Sequence, residues 1–377
     1  MLFVSKQISL LALLITISLL GAIPYSETTQ TDSYPLEFAG SNAFSYLEEY
    51  MELSPIIPGS PASLQFHTYA THYLEKYSWE VELQIWEHQG TSQILHNLIA
   101  KKHALNSITK EILILGAHYD TRLWADKDPD SLKRQSHVPG ANDGGSGVVV
   151  LLELSRVLNF PQDLEIWLVF FDAEDQGNIP GWDGGIQGWC IGSTYFVGQL
   201  SPLEQEKIRV AIIIDLVGDF NLILKKEGYS DPTYVQEIWQ AAAELGYSDC
   251  FVDEIGSSII DDHFPFLQAG ISAVDIIQQR SRDGYSFFRW HHTVNDTIEN
   301  VYPESLEKVG RTLEYYIENK LYQDSSTIIT QTASELETQL PSFPKESFTL
   351  LTLSVLIIYI FIQKILKKTM NKTNSVK

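Results

Sequence analysis

Four runs along the chain are apolar almost without a break: ILILGA (112–117), IWLVFF (166–171), VAIIIDLVG (210–218) and ISAVDII (271–277). A half-exposed strand would alternate apolar and polar positions, so continuous runs of this length predict strands buried on both faces. Between them the apolar positions take a helical spacing, in GVVVLLELSRVL (147–158), DPTYVQEIWQAAAELG (231–246) and PESLEKVGRTLEYYIENKLY (303–322). The last two open on an early proline, whose fixed φ suits a first helical turn. Strand and helix in alternation predict an α/β fold with a mostly parallel central sheet flanked by helices.

Both ends of the chain depart from this pattern. Residues 1–26 carry one lysine, Lys6, then an uncharged apolar run that closes near Gly21 and Ala22, the layout of a signal peptide or signal anchor. A second apolar run from Ser347 to Ile362, with Lys364, Lys367 and Lys368 able to reach the interface, predicts a transmembrane helix over 347–366. The basic tail 367–377 is then expected on the cytoplasmic side, which leaves the body, residues 34–322, outside the cell. Residues 323–346, rich in Ser, Thr and Gln with two prolines, read as a stalk linker. The expected location is the cell membrane, through a single-pass C-terminal anchor.

Charge and cysteine usage narrow the class. A formal net charge of -22 leaves no basic face for a polyanion, so nucleic acid is excluded as a partner. Two cysteines, Cys190 and Cys250, make no disulfide framework and leave a single bridge or two free thiols open.

In a parallel sheet, ligands bind beyond the carboxyl ends of the strands. There the chain places His118 in HYD, Asp143 in PGANDGGSG, Glu174 and Asp175 in FFDAEDQG, Asp215 at the end of the third run, Asp261 and Asp262 in DDH, and His291 and His292 in RWHHT. Two imidazoles and three or more carboxylates at one sheet edge suit one or two zinc ions. A cation also explains why an apolar strand runs into the acids of FFDAEDQG, since clustered buried carboxylates repel one another. Taken singly, each residue has a plainer role: Asp143 as a helix cap, Asp262 and His263 as a helix start, Trp182 and Trp290 as packing. The glycines of GGSG lack the lysine of a phosphate loop. Concurrence at successive strand ends is what points to chemistry.

In order, GAHYDT, PGANDGGSG, FFDAEDQG, IIIDLVGD, DDHFPF and WHHT resemble the blocks of the zinc-dependent aminopeptidases with a co-catalytic metal site, and of their relatives the glutaminyl-peptide cyclotransferases. The resemblance runs from SPIIPGSPAS (54–63) through WHHTVNDTIENV (290–301). It implies Asp143 as the central metal ligand, Asp175 and His292 as its companions on a first zinc, and His118 and Asp215 on a second. In the animal cyclases the residues matching that second pair are present without a second ion. Glu174 is implied as the general base, Asp261 as a member of a cyclase proton network, and Trp182, Trp290 and His291 as substrate contacts. Three positions depart from the pattern: Asp175 stands where the family commonly has Glu, His291 where animal cyclases have Trp, and Asp275 where they have His.

The chemistry expected of Glu174 follows from its place beside a metal. It can take a proton from an activated water for hydrolysis, or from a substrate's own amino group attacking its side-chain amide. The sequence therefore predicts a zinc-dependent enzyme acting on peptide or protein N-termini, which cyclises N-terminal glutamine with release of ammonia. The alternative is an aminopeptidase hydrolysing N-terminal residues. A metal-free binding ectodomain, the third reading, is disfavoured by the complete ligand set.

Overall fold

The computed structural model describes residues 35–103, 111–159 and 164–321, and the architecture below is that of the unit beginning at Glu37. The signal segment, the stalk, the transmembrane helix and the basic tail all lie outside the described residues. Among the described residues no helix is long and apolar enough to cross a membrane.

The central sheet has six strands. In chain order its strands are β1 (Glu80–Glu87), β2 (Ile94–Lys102), β3 (Glu111–His118), β4 (Leu164–Phe171), β5 (Ile208–Asp215) and β8 (Ala273–Ile277). Two short strands, β6 (Leu224–Lys226) and β7 (Phe251–Ile255), pair with each other in a separate parallel ribbon. The spatial order of the main sheet is β1-β2-β4-β3-β5-β8. The four strands read from the apolar runs, β3, β4, β5 and β8, form its parallel half. β1 and β2 extend it as an antiparallel hairpin. The fold is thus mixed α/β, with a central sheet flanked by helices.

Eight helices surround it: α1 (Gly40–Leu53), α2 (Pro61–Lys76), α3 (Gly145–Val157), α4 (Ile191–Gln199), α5 (Pro202–Lys207), α6 (Pro232–Glu244), α7 (Phe264–Gln268) and α8 (Pro303–Tyr315) among the described residues. One face of the sheet, with Leu113, Leu115, Leu168, Ile212 and Ile214, packs on α1, α2, α3, α6 and α8. The alternate residues, Ile114, Trp167, Val169 and Ile213, face Phe196 of α4 and Phe266 of α7. Period-two alternation therefore holds in these strands, and both faces are apolar because both are covered. α3 is buried at every position except Arg156, which is why its sequence shows almost no polar face.

Gly147 explains part of the glycine-rich entry to α3. A Cβ there would lie 2.1 Å from the Ile214 carbonyl oxygen, so only glycine lets the first turn of α3 seat against β5. Ser146 fastens the same turn, accepting a hydrogen bond from the Val217 N–H at 3.0 Å.

Candidate metal centre and cleft

The parallel strands end along one edge, and the chain turns sharply there. Ala173, Leu216 and His292 all take positive φ, at 53°, 52° and 56°, though none is glycine. Left-handed backbone at ordinary residues costs of order 1 kcal/mol each and persists where surroundings enforce it. Here it turns the chain beside Glu174, beside Asp215 and at His292 itself.

These turns bring the ligand candidates together. His118 Nε2 lies 3.2 Å from Asp215 Oδ1 and 3.4 Å from Asp143 Oδ1. His292 Nε2 lies 3.1 Å from Asp175 Oδ1 and 3.6 Å from Asp143 Oδ2. Asp143 thus stands between two groups, as a shared ligand must. Two triads offer ligand atoms within 4.8 Å of one another, His118 with Asp143 and Asp215, and Asp143 with His291 and His292. Asp175 is missing from the second triad. Its Oδ1 also takes the Arg122 Nη1 at 3.2 Å.

The donor set fits a metal ion. Asp143 Oδ2 is buried and makes no hydrogen bond, an orphaned acceptor 3.6 Å from the Nε2 atoms of both His291 and His292. Carboxylate oxygens and imidazole nitrogens in this proportion suit zinc.

Several buried groups that the sequence did not single out hold these ligands in place. Asp120 accepts the backbone N–H of Glu174 at 2.9 Å and of Asp175 at 3.3 Å, while its carbonyl meets His118 Nδ1 at 3.1 Å. Asp296 accepts the N–H groups of Asn142 and Asp143 at 2.9 and 3.0 Å. Arg122 reaches the carbonyls of Asp175 and Gly177 at 3.0 Å and pairs with Asp126. Such partners orient ligands and set their basicity. Asp120 and Arg122 lie two and four residues beyond His118 in HYDTR, so proximity in sequence was their one available signal.

Glu174 and Asp261 line a cleft of about 250 Å³ together with the metal candidates, His291, Lys127, Trp189 and Phe287. Trp189 stacks on the His292 ring at 6.0 Å and carries the Arg122 guanidinium 5.0 Å from its own ring centre. Trp182 lies elsewhere: it is buried against His88, ring to ring at 5.1 Å, with Ile179 and Leu95. Trp290 lines an adjoining cavity. The tryptophan at the cleft is therefore Trp189, seven residues beyond Trp182 in the same loop. Cys190 and Cys250 are free and buried, and the Cys190 thiol sits 3.5 Å from Glu174 Oε1.

Burial dominates the electrostatics. It raises the Glu174 carboxyl well above its usual range, and Asp261 raises it further. Asp261 is itself pushed up to about 6, by burial and then by Asp215. For Asp175 burial is outweighed by His292 and Arg122, which hold the carboxyl low. For His118 burial opposes the charged form, yet Asp215 and the hydrogen bonds around the ring carry it upward. Carboxyls driven apart in this way are the pattern of a site that moves protons.

Comparison with known proteins agrees with this geometry. Residues 97–317 match peptidase family M28, and the chain belongs to that family. Aminopeptidase YwaD of Bacillus subtilis is 28% identical over 285 residues, covering 73% of this chain and 56% of that protein. The chain thus spans little more than half of that relative's length. The glutaminyl cyclase of Bacteroides thetaiotaomicron, solved with N-acetylhistamine, superposes with a TM-score of 0.68 at 32% identity, covering 76% of this chain and all of that one. A Zn-dependent exopeptidase from Parabacteroides distasonis superposes at 0.66 with 28% identity, over 76% of this chain and 99% of that one.

Proposed function

We propose that the protein is a zinc-dependent enzyme acting on peptide N-termini, and that its reaction is cyclisation of N-terminal glutamine with release of ammonia. The observation that carries this reading is the pair Glu174 and Asp261, two buried carboxyls on one cleft wall whose proton affinities are both raised. Asp143, His292 and Asp175 would hold one ion, with His118 and Asp215 available to a second. The chemistry zinc supplies when bound is Lewis acidity toward a carbonyl or amide oxygen. Glu174 takes the proton of the attacking group, which in cyclisation is the substrate's own amine, and returns it to the departing ammonia. Asp261, pushed up to about 6, accepts and returns a proton close to neutral pH within the same cleft. Trp189 and Phe287 give the cleft apolar lining, and a substrate packed against it would favour its own internal amine over a water molecule.

Hydrolysis by an aminopeptidase is the second reading, favoured by the completeness of the His118, Asp143 and Asp215 triad. The full chain with zinc, given a glutaminyl and a leucyl peptide of equal length and followed by mass, separates the two. Ammonia loss from the first supports cyclisation; free leucine from the second supports hydrolysis and overturns it. Glu174→Gln is expected to lower kcat about 10²–10⁴-fold with zinc content retained. Unchanged cyclisation in Asp261→Ser would remove that residue from the mechanism.

We further propose, from the two apolar ends of the sequence, that the enzyme is held at the cell surface. The protein is then expected in the membrane pellet after an alkaline wash. Release into the supernatant refutes the anchor.

A further inference from the structure

The cleft is electrically lopsided. Its floor is acidic, built from Asp143, Glu174, Asp175, Asp215 and Asp261, while Lys127 stands at one side. The Lys127 ammonium donates to His291 Nδ1 at 2.9 Å, and among the described residues it has no carboxylate at ion-pair distance. Lys127 and His291 also line the neighbouring cavity, of about 550 Å³, with Tyr285, Ser286, Arg289 and Trp290. They form the shared wall between the two spaces.

Arg289 gives the second cavity its charge. The exposed guanidinium lies 4.8 Å from the Trp290 ring centre and 5.7 Å from that of Tyr285, and no carboxylate of the described residues pairs with it. Aromatic faces hold an arginine in place while leaving its donor edge free for a planar anion. In a chain of net charge -22, Lys127 feels Asp126, Asp143 and Asp175 only through space and Arg289 has no carboxylate at ion-pair distance among the described residues, so both cations keep donors for an anion from outside.

We infer that Lys127 and Arg289 form a subsite for a substrate carboxylate lying just beyond the N-terminal residue, so that peptides bearing an acid there are preferred. This rests on the reading that peptide N-termini react in the cleft. Glu174 and Asp261, the cleft carboxyls not given to the metal, face the terminal amine, and the chain beyond the reacting residue passes the Lys127 wall, one residue advancing it by roughly 3.5 Å. A carboxylate can come from two sources, the α-carboxylate of a dipeptide or an acidic side chain at the second residue.

The test uses the full chain loaded with zinc. Turnover of Gln-Ala is compared with Gln-Ala-amide, and of Gln-Asp-Ala-amide with Gln-Asn-Ala-amide, alongside the same pairs with N-terminal leucine. The acid member of at least one pair is expected to have the higher kcat/KM, by about tenfold at low salt, a gap that narrows as salt screens it. Preference in the first pair alone assigns the α-carboxylate, and in the second alone the side chain. In Lys127→Gln and Arg289→Gln the acid-to-amide ratio falls toward one. Equal rates in both pairs overturn the subsite. Calorimetric binding of the same peptides to zinc-loaded Glu174→Gln gives a readout independent of turnover. Acid preference in binding without turnover of any peptide overturns the catalytic reading and keeps the subsite, whereas equal affinities overturn the subsite.

Discussion

Three acids close the stretch FFDAEDQG, and each has a different charge fate. Asp175 is held ionised by Arg122 and His292, and Glu174 faces the cleft with a raised affinity for its proton. Asp172 points away from the site, accepting the His96 N–H at 3.0 Å, and burial followed by the nearby Asp120 pushes its pKa up to about 8. Its sign can be worked out. An unfolded aspartate ionises near pH ~3.9. Between that value and about 8 the folded chain binds a proton that the unfolded chain does not, so stability falls as pH rises through the window. Asp172→Asn removes this slope while keeping an acceptor for His96. The variant is expected to gain stability over the parent from pH 5 to pH 8, by about 1 kcal/mol or more at the upper end. Parallel denaturation curves at the two pH values check it, and a gain larger at pH 5 contradicts it.

At the scale of elements, what the sequence displays depends on what covers each segment. β3, β4, β5 and β8 are buried on both faces, so their apolar runs were legible. β1 shows a largely exposed face, and its pattern EVELQIWE carries too little apolar density to stand out from a loop. α3 and α6 begin and end within two residues of the positions read from spacing, because Gly144 and Pro232 mark their starts. The last helical pattern ran to residue 322, whereas α8 stops at Tyr315 and the next five residues widen into a π turn. The candidate positions could be picked out because strand-end chemistry uses few residue types, and the fold gathers them at one edge. Their supports were not legible: Asp296 stands 153 residues from Asp143 along the chain, and only the fold shows it accepting the N–H groups of Asn142 and Asp143. The tryptophan of the cleft shows the same limit, since the loop containing Trp182 and Trp189 is glycine-rich and its path is fixed by contacts. Gly177, whose Cβ would lie 1.9 Å from the Trp189 ring, is one of those contacts.

At the scale of the whole molecule, a metal held at the sheet edge would be coupled to folding. The sheet edge concentrates Asp143, Glu174, Asp175, Asp215 and Asp261 in space from which water is largely excluded, and folding must bear that repulsion unless cations balance it. Protons can substitute in part. Burial raises Glu174 and Asp215, and Asp261 is raised to about 6, so each favours the folded state less as pH climbs through its folded pKa. His118 and His292, raised by their acidic neighbours despite burial, lose their favourable charge over the same direction of pH. Asp175 runs the other way, but its contribution is complete once pH exceeds the unfolded carboxyl value of about 4. Metal affinity has the opposite trend, because ligands bind deprotonated. Chelation is therefore expected to lower Tm at every pH, and by more at pH 8 than at pH 5.5, with zinc restoring the loss. A constant difference across that range would mean that the carboxyls at the sheet edge are not balanced by the metal, and an unchanged Tm on chelation would mean that the fold does not depend on it.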